Sequence, residues 1–349
     1  MTTADGVKTF TTANVLIATG GRAWRPDIPG IEHTITSDEA LDLPRAPKKI
    51  AVIGGGYIGL ELACVFKGFG AEVHYYFRGE TPLREFDGEC RRFVTEQVED
   101  VLGLTMHRNA TPVSVAKQAD GRLTYRVAVG GAEEEIGDFD EVLFATGRSP
   151  NVKNLGLEGL GIEQGPNGKI IVDEYLRTSV PNVYAVGDVI DRIQLTPVAL
   201  MEGMAVAKTL FMDGGTPTKP DYDMVASAVF SQPTLASVGL SEEQAVESLG
   251  DVDVYSSSFK PMKNTLSGNP GRAMMKLVVD ATTDVVVGCH MVGPDAAEIL
   301  QGMAIALKMK CTKSMMDTVV GIHPSSAEEF VTMRSVSRQF RGGKLVEKA

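Results

Sequence analysis

Lys48-Lys-Ile-Ala-Val-Ile-Gly-Gly-Gly-Tyr-Ile-Gly-Leu-Glu61 is the stretch that decides the fold. Lys48 to Ile53 is a short apolar run of strand character, and from Ile58 to about Gly68 the pattern becomes helical. Between them, Gly54-Gly-Gly56-Tyr-Ile-Gly59 has the G-x-G-x-x-G spacing. Taken alone, that spacing also describes a glycine-rich turn that holds nothing. Here it follows a buried strand and opens a helix, which is the context a dinucleotide needs. Gly54 permits the tight turn, Gly56 lets a pyrophosphate approach the backbone, and Gly59 lets helix pack closely on strand. The helix N-terminus offers amide donors and positive dipole to the phosphates.

The same rhythm continues on both sides. Val15-Leu-Ile-Ala-Thr-Gly20 reads as a buried strand ending at a glycine, and Pro26, Pro29 and Gly30 mark an extended linker. Val73 to Phe77 is the next strand and Glu89 to Leu102 a helix. Leu123 to Val129 reads as an antiparallel strand, and Asp140-Glu-Val-Leu-Phe-Ala-Thr-Gly147 closes the cycle. Strand, helix and strand in this order predict a parallel, doubly wound α/β sheet. The Ala-Thr-Gly ending occurs at both Gly20 and Gly147, which suggests two related nucleotide-binding domains, one interrupting the other. Val183-Tyr-Ala-Val-Gly187 is a further strand. From about Asp221 the character changes to an α+β module. Its β-like runs are Ala226 to Phe230, Lys276 to Val279 and Val285 to Val292, and a helix covers about Ala296 to Lys310. Met303, Ile305, Met309, Met315 and Met316 in this module read as core or interface filler, as does Trp24.

The strand after the fingerprint selects the cofactor. A site for NAD places Asp or Glu about 20 residues beyond the glycines, on the ribose 2′-OH. Here the strand reads His74-Tyr-Tyr-Phe-Arg78, with no acid at its end, and Arg84 follows. Two guanidinium groups suit a 2′-phosphate, which arginine can clamp in bidentate fashion. Taken alone, they are also compatible with two solvated surface arginines. With the fingerprint and the missing acid, the pattern favours NADPH.

Composition narrows the function classes. The chain has 349 residues, enough for two or three domains. Its net charge is −11, and the 34 Lys and Arg residues are scattered rather than gathered into a nucleic-acid-binding stripe. No apolar run approaches the roughly 20 residues of a membrane helix. The polar start, Met1 to Lys8, lacks the apolar stretch of a signal peptide. Cys64, Cys90, Cys289 and Cys311 form neither a C-x-x-C pair nor a metal-ligand spacing, which suggests buried, reduced thiols and no metal.

Nearly the whole chain resembles the glutathione reductases, their plant-like branch in particular, within the class I pyridine nucleotide-disulfide oxidoreductases. Gly54-Gly-Gly-Tyr-Ile-Gly-Leu-Glu61 resembles the family's NADPH loop, so the resemblance assigns Gly54, Gly55, Gly56, Ile58 and Gly59 to cofactor binding. It implies that Tyr57 covers the nicotinamide pocket until NADPH displaces it, and that Glu61 pairs with a lysine beside the flavin. Arg78 and Arg84 match the 2′-phosphate arginines, and Gly147-Arg148 a further NADPH-contacting turn. Val186-Gly-Asp188 resembles the second FAD signature, whose aspartate binds the ribityl chain. Leu195-Thr-Pro-Val-Ala199 resembles the segment under the isoalloxazine ring, which adds Leu195 and Thr196 to the FAD set. His323-Pro-Ser-Ser-Ala-Glu-Glu329 resembles the C-terminal signature, implying that His323 is the thiol's acid/base and Glu328 orients it. The chemistry agrees: a departing thiolate needs a proton, imidazole titrates near working pH, and a carboxylate on the far nitrogen fixes its tautomer.

The resemblance implies two interleaved Rossmann-like domains, for FAD and NADPH, plus a C-terminal α+β dimerisation domain. The expected divisions are 1–47 (part of the FAD domain), 48–147 (NADPH), 148–220 (FAD, continued) and 221–349 (dimerisation). The implied activity is NADPH-dependent reduction of glutathione disulfide through FAD and a redox disulfide, by a homodimer in the cytoplasm or plastid. The family's first FAD fingerprint and its Cys-x-x-x-x-Cys pair do not occur in these residues. An N-terminally truncated chain, inactive alone, is therefore expected. Met204 stands where some members carry a substrate-binding arginine. Lipoamide dehydrogenase is an alternative, but would carry an acid near Phe77-Arg78; a non-catalytic NADPH-binding, dimerising fragment is another.

Overall fold

The computed structural model describes residues 2–3 and 6–346. The chain divides into two compact units, each drawn from separated segments. One comprises the residues up to Trp24 with Gly147–Tyr222; the other comprises Arg25–Thr146 and the chain from Asp223 onward.

The second unit contains the fingerprint. Its four-stranded parallel sheet has the order Glu141–Phe144, Lys49–Ile53, Glu72–Tyr76, Thr105–His107. Ile50, Ala51 and Val52 are fully buried, the continuous apolar run that a parallel strand covered on both faces requires. The helix Tyr57–Gly68 buries Leu60, Ala63 and Cys64 on one side. A second helix, Gly88–Glu96, starts at Asp87, whose carboxylate accepts from the amides of Glu89 and Cys90. The expected helix to Leu102 is not regular throughout: Gln97–Val101 is a π-turn, closed by the Leu102 amide on the Gln97 carbonyl.

Beside this sheet lies an antiparallel one of three strands, Ala110–Lys117, Leu123–Val129 and Ala132–Phe139. From Ser227 the chain builds a seven-stranded antiparallel sheet. Its centre is Leu235–Gly239, Val286–Val292, Ala273–Asp280 and Val252–Phe259, with the helix Ala296–Lys308 packed on it through Ala296, Leu300, Ala304 and Leu307. One core joins both halves of this unit: Val229, Leu235, Met274 and Val292 cluster with Ile50, Val52, Leu60 and Val94.

The first unit is smaller. Val15–Ile17 pairs in parallel with Val183–Ala185, and Gly21–Ala23 pairs antiparallel with Arg148–Pro150. The helix Thr196–Phe211 packs Ala205 and Val206 against Val183, Val186 and Val189. Trp24, expected as core or interface filler, is 47% exposed. Cys64, Cys90 and Cys289 are buried and Cys311 is half-buried, all as free thiols; burial pushes the Cys64 thiol up to about 11. Among the described residues, no helix is long and apolar enough to cross a membrane, and no group of three or more His, Cys, Asp or Glu could hold a metal.

Candidate functional site

The glycine loop has the geometry its spacing predicts. Gly54 has φ +132°, and a Cβ there would meet the Ala145 carbonyl oxygen at 2.1 Å. A Cβ on Gly59 would lie 2.2 Å from the Gly54 carbonyl oxygen, so only hydrogen allows helix and strand to approach this closely. Around Gly56 there is open space within 4 Å, and as N-cap of the helix it offers no side-chain acceptor to the first-turn amides. Those donors and that space fit a pyrophosphate. Tyr57 is 38% exposed at the helix start, and Ile58 is half-buried.

The loop after the second strand is drawn onto this turn. A Cβ on Gly55 would meet the Phe77 Cβ at 3.1 Å, and the Leu83 amide donates to the Gly55 carbonyl at 2.7 Å. The structure therefore brings Phe77–Arg84 against the fingerprint. Arg78 and Arg84 are both exposed on this loop, and Arg84 meets Glu85 in a solvent-exposed ion pair at 2.9 Å. Arg91 holds the loop from behind, donating to the carbonyls of Pro82 (2.9 Å) and Thr81 (3.1 Å) and to the Thr81 hydroxyl (2.8 Å). The one carboxylate near the start of the loop, Glu80, accepts from the Asn109 amide at 2.6 Å.

Glu61 lies one turn into the fingerprint helix. Its carboxylate accepts the Phe230 amide at 2.8 Å, and burial raises its pKa above the usual carboxylate range. His323 and Glu328 also come together: His323 Nδ1 lies 3.1 Å from Glu328 Oε1, with the ring largely exposed and the carboxylate three-quarters covered. The contact engages Nδ1 and leaves Nε2 as the nitrogen available for proton exchange.

In the first unit Arg148 donates from Nη2 to the Gly21 carbonyl at 2.7 Å, and its Nε lies 3.9 Å from Asp188. Gly147, at φ +144°, accepts the Trp24 amide at 2.9 Å. Leu195 is the N-cap of the helix that begins at Thr196 and supplies no side-chain cap, and Thr196 is exposed beside Pro197, which has no amide to donate. Sequence reasoning did not single out Glu202. Its carboxylate is buried, accepting the Gly187 amide at 2.6 Å through one oxygen and the Tyr222 hydroxyl at 2.8 Å through the other. It thereby fixes the Val186-Gly-Asp188 turn. The only sequence-level signal is a carboxylate within an apolar helix. Met204, two residues on, is 56% exposed.

An arginine-bearing loop is thus folded onto a glycine fingerprint, in a chain that also carries an antiparallel sheet and a His–Glu pair. The chain belongs to the pyridine nucleotide-disulphide oxidoreductase family: residues 2–203 match that family, and residues 225–334 match its dimerisation domain. Among its relatives is a chloroplastic/mitochondrial glutathione reductase of Pisum sativum, 52% identical over 337 residues, which cover 97% of this chain and 60% of the pea protein. The glutathione reductase of Burkholderia cepacia is 47% identical over 92% of this chain and 70% of its own length. Trypanothione reductase of Leishmania donovani is 39% identical over 99% of this chain and 70% of its own.

Proposed function

We propose that this chain serves the NADPH-dependent reduction of glutathione disulfide to glutathione, with FAD as second cofactor and as a homodimer. The observation that carries the cofactor half is the Phe77–Arg84 loop, closed onto Gly55 and presenting two arginines where an NAD site would present a carboxylate. The relatives named glutathione reductase support the substrate. The divisions we propose are residues 48–147 for NADPH, 1–47 with 148–220 for FAD, and 221–349 for dimerisation.

When bound, the two cofactors supply the electrons that open a disulfide. The residues of this chain would contribute binding, orientation and a proton, while the redox cysteine pair is not among them. The Gly54–Gly59 turn would hold the pyrophosphate, Arg78 and Arg84 would clamp the 2′-phosphate, and Tyr57 would cover the nicotinamide pocket until NADPH displaces it. Gly147 contributes a further nucleotide contact. Asp188 would hold the ribityl chain with Arg148 beside it, and Leu195 and Thr196 would help to hold the flavin. His323 holds a proton on Nε2 for the thiolate released from glutathione disulfide, with its ring oriented by Glu328 through Nδ1. The cytoplasm or a plastid is the proposed compartment, and the pea relative's description, chloroplastic/mitochondrial, supports the plastid.

Titrating the wild-type chain and an Arg78→Ala/Arg84→Ala variant with NADPH and NADH tests the cofactor reading. Two charge-assisted clamps imply a loss of about 2–4 kcal/mol for NADPH and little for NADH; equal losses for both would overturn it. For the disulfide step, His323→Ala in an enzyme carrying its redox cysteine pair should abolish glutathione production and leave flavin reduction by NADPH intact. Stopped-flow absorbance separates the two, and slowed flavin reduction would contradict the role.

A further inference from the structure

A buried charge cluster lies behind the arginine loop and plays no part in the chemistry described so far. Lys276, on the central strand Ala273–Asp280, is fully buried. Its ammonium lies 2.8 Å from Asp87, 2.6 Å from Glu242 and 3.2 Å from Glu89. Arg338 closes the cluster from the other side, reaching Glu242 at 2.6 Å and pairing also with Glu89. Asp87 is the residue through which this cluster meets the nucleotide loop. One of its oxygens takes Lys276 and caps the helix Gly88–Glu96, and the other accepts the Glu242 amide at 2.9 Å. His290 also faces the cluster, with its ring spent on Ser237 Oγ (2.6 Å) and the Leu240 carbonyl (2.9 Å).

Asp87 stands three residues beyond Arg84. Immediately before Arg84, Leu83 is a buried non-glycine residue at φ +59°, a strained conformation that persists only where its surroundings fix it. Two bonds and a helix do so: Leu83 N donates to the Gly55 carbonyl, Phe86 N donates to the Leu83 carbonyl at 2.9 Å, and the capped helix behind grips Thr81 and Pro82 through Arg91. The path from Lys276 to the arginines is thus continuous: ammonium, Asp87, helix start, Arg91, loop.

Resting on the NADPH reading above, we propose that Lys276 and Asp87 are positioning residues for the 2′-phosphate. The C-terminal sheet, through Lys276, holds the loop in the strained form that sets Arg78 and Arg84 against the fingerprint. A purely structural cluster would contribute to folding and leave the choice between nucleotides unchanged. A positioning cluster acts on the 2′-phosphate alone, because the pyrophosphate contacts come from Gly54–Gly59.

The test is the ratio of NADPH to NADH affinity, measured by fluorescence titration of the full chain, with thermal unfolding recorded alongside. Lys276→Met is expected to weaken NADPH binding at least ten-fold while changing NADH binding less than three-fold. Because it strands Asp87 as a buried charge, Lys276→Met/Asp87→Asn, which keeps an acceptor at the cap, is measured with it. Arg91→Met cuts the same path nearer the loop without touching the cluster, and is expected to shift the ratio in the same direction. A lowered melting temperature with an unchanged ratio in whichever of these variants fold would overturn the proposal. A wild-type chain with no preference for NADPH would instead remove the reading on which it rests.

Discussion

A methyl group added at Gly54 would meet the Ala145 carbonyl at 2.1 Å in a backbone conformation that L-residues rarely adopt, whereas one added at Gly56 would meet nothing within 4 Å. The two substitutions should therefore separate stability from binding. Gly54→Ala should cost about 3 kcal/mol in urea unfolding through strain alone. Gly56→Ala should cost less than about 1 kcal/mol yet weaken NADPH and NADH together, because its methyl group occupies the space left for the pyrophosphate. Loss of stability without loss of binding in Gly56→Ala would argue against a nucleotide on that turn. The tight turn at Gly54 and the close packing at Gly59 were legible in the G-x-G-x-x-G spacing, although the Ala145 carbonyl that excludes a side chain at Gly54 is far along the chain. Glu202, Asp87 and Lys276 were not. Asp87 and Lys276 are far apart in the chain, and a lone carboxylate in an apolar helix gives no hint that its partners are the Gly187 amide and Tyr222.

Among the secondary elements, the strand Thr105–His107 carries a titration of its own. The ring of His107 stacks on Tyr76 at 4.1 Å, and its Nε2 lies 3.0 Å from His74 Nδ1, while His74 Nε2 contacts Glu72 at 2.9 Å. Burial, then the neighbouring His74, pushes the His107 pKa down to about 4. The folded state thus refuses a proton that the unfolded chain accepts between about 6.5 and 4. Stability should be full above pH 6.5 and fall as the pH drops towards 4. Urea melts across that range would show the slope, and His107→Phe should flatten it; an unchanged slope would place the titration elsewhere. The regular elements were legible where apolar periodicity was strong. Lys49–Ile53, Tyr57–Gly68 and Leu123–Val129 agree with expectation to within a residue. The flanking strands of the three-stranded sheet were missed. Ala132–Phe139 opens with four exposed residues, Ala-Glu-Glu-Glu, and Ala110–Lys117 contains Pro112 at a break in register. Val252–Phe259 was missed too, because Ser256, Ser257 and Ser258 interrupt its alternation.

Over the whole molecule, the two units differ in how they are held. The fingerprint unit shares one core between its parallel and antiparallel sheets, whereas the other has only two-stranded pairings among its described residues, one of which uses the half-exposed Val15 and Leu16. Two-stranded sheets are marginal in water. Hydrogen exchange should release the amides of Val15–Ile17 and Val183–Ala185 well before those of Ile50–Ile53, and added NADPH should further protect only the latter. Uniform exchange across both units would refute this ranking.

The pairing of Val15–Ile17 with Val183–Ala185 also sets an order of events at the ribosome. The partner strand is made about 170 residues later, a delay on the order of 10–30 s at ordinary rates of translation. Within that interval Arg25–Thr146, with its complete parallel sheet, can emerge and begin to collapse. Its own antiparallel half follows only after Asp223. The strand Val15–Ile17 is therefore among the later ones to find its place. A nascent chain stalled before residue 183 would expose Val15-Leu-Ile as a ready target for holdase chaperones.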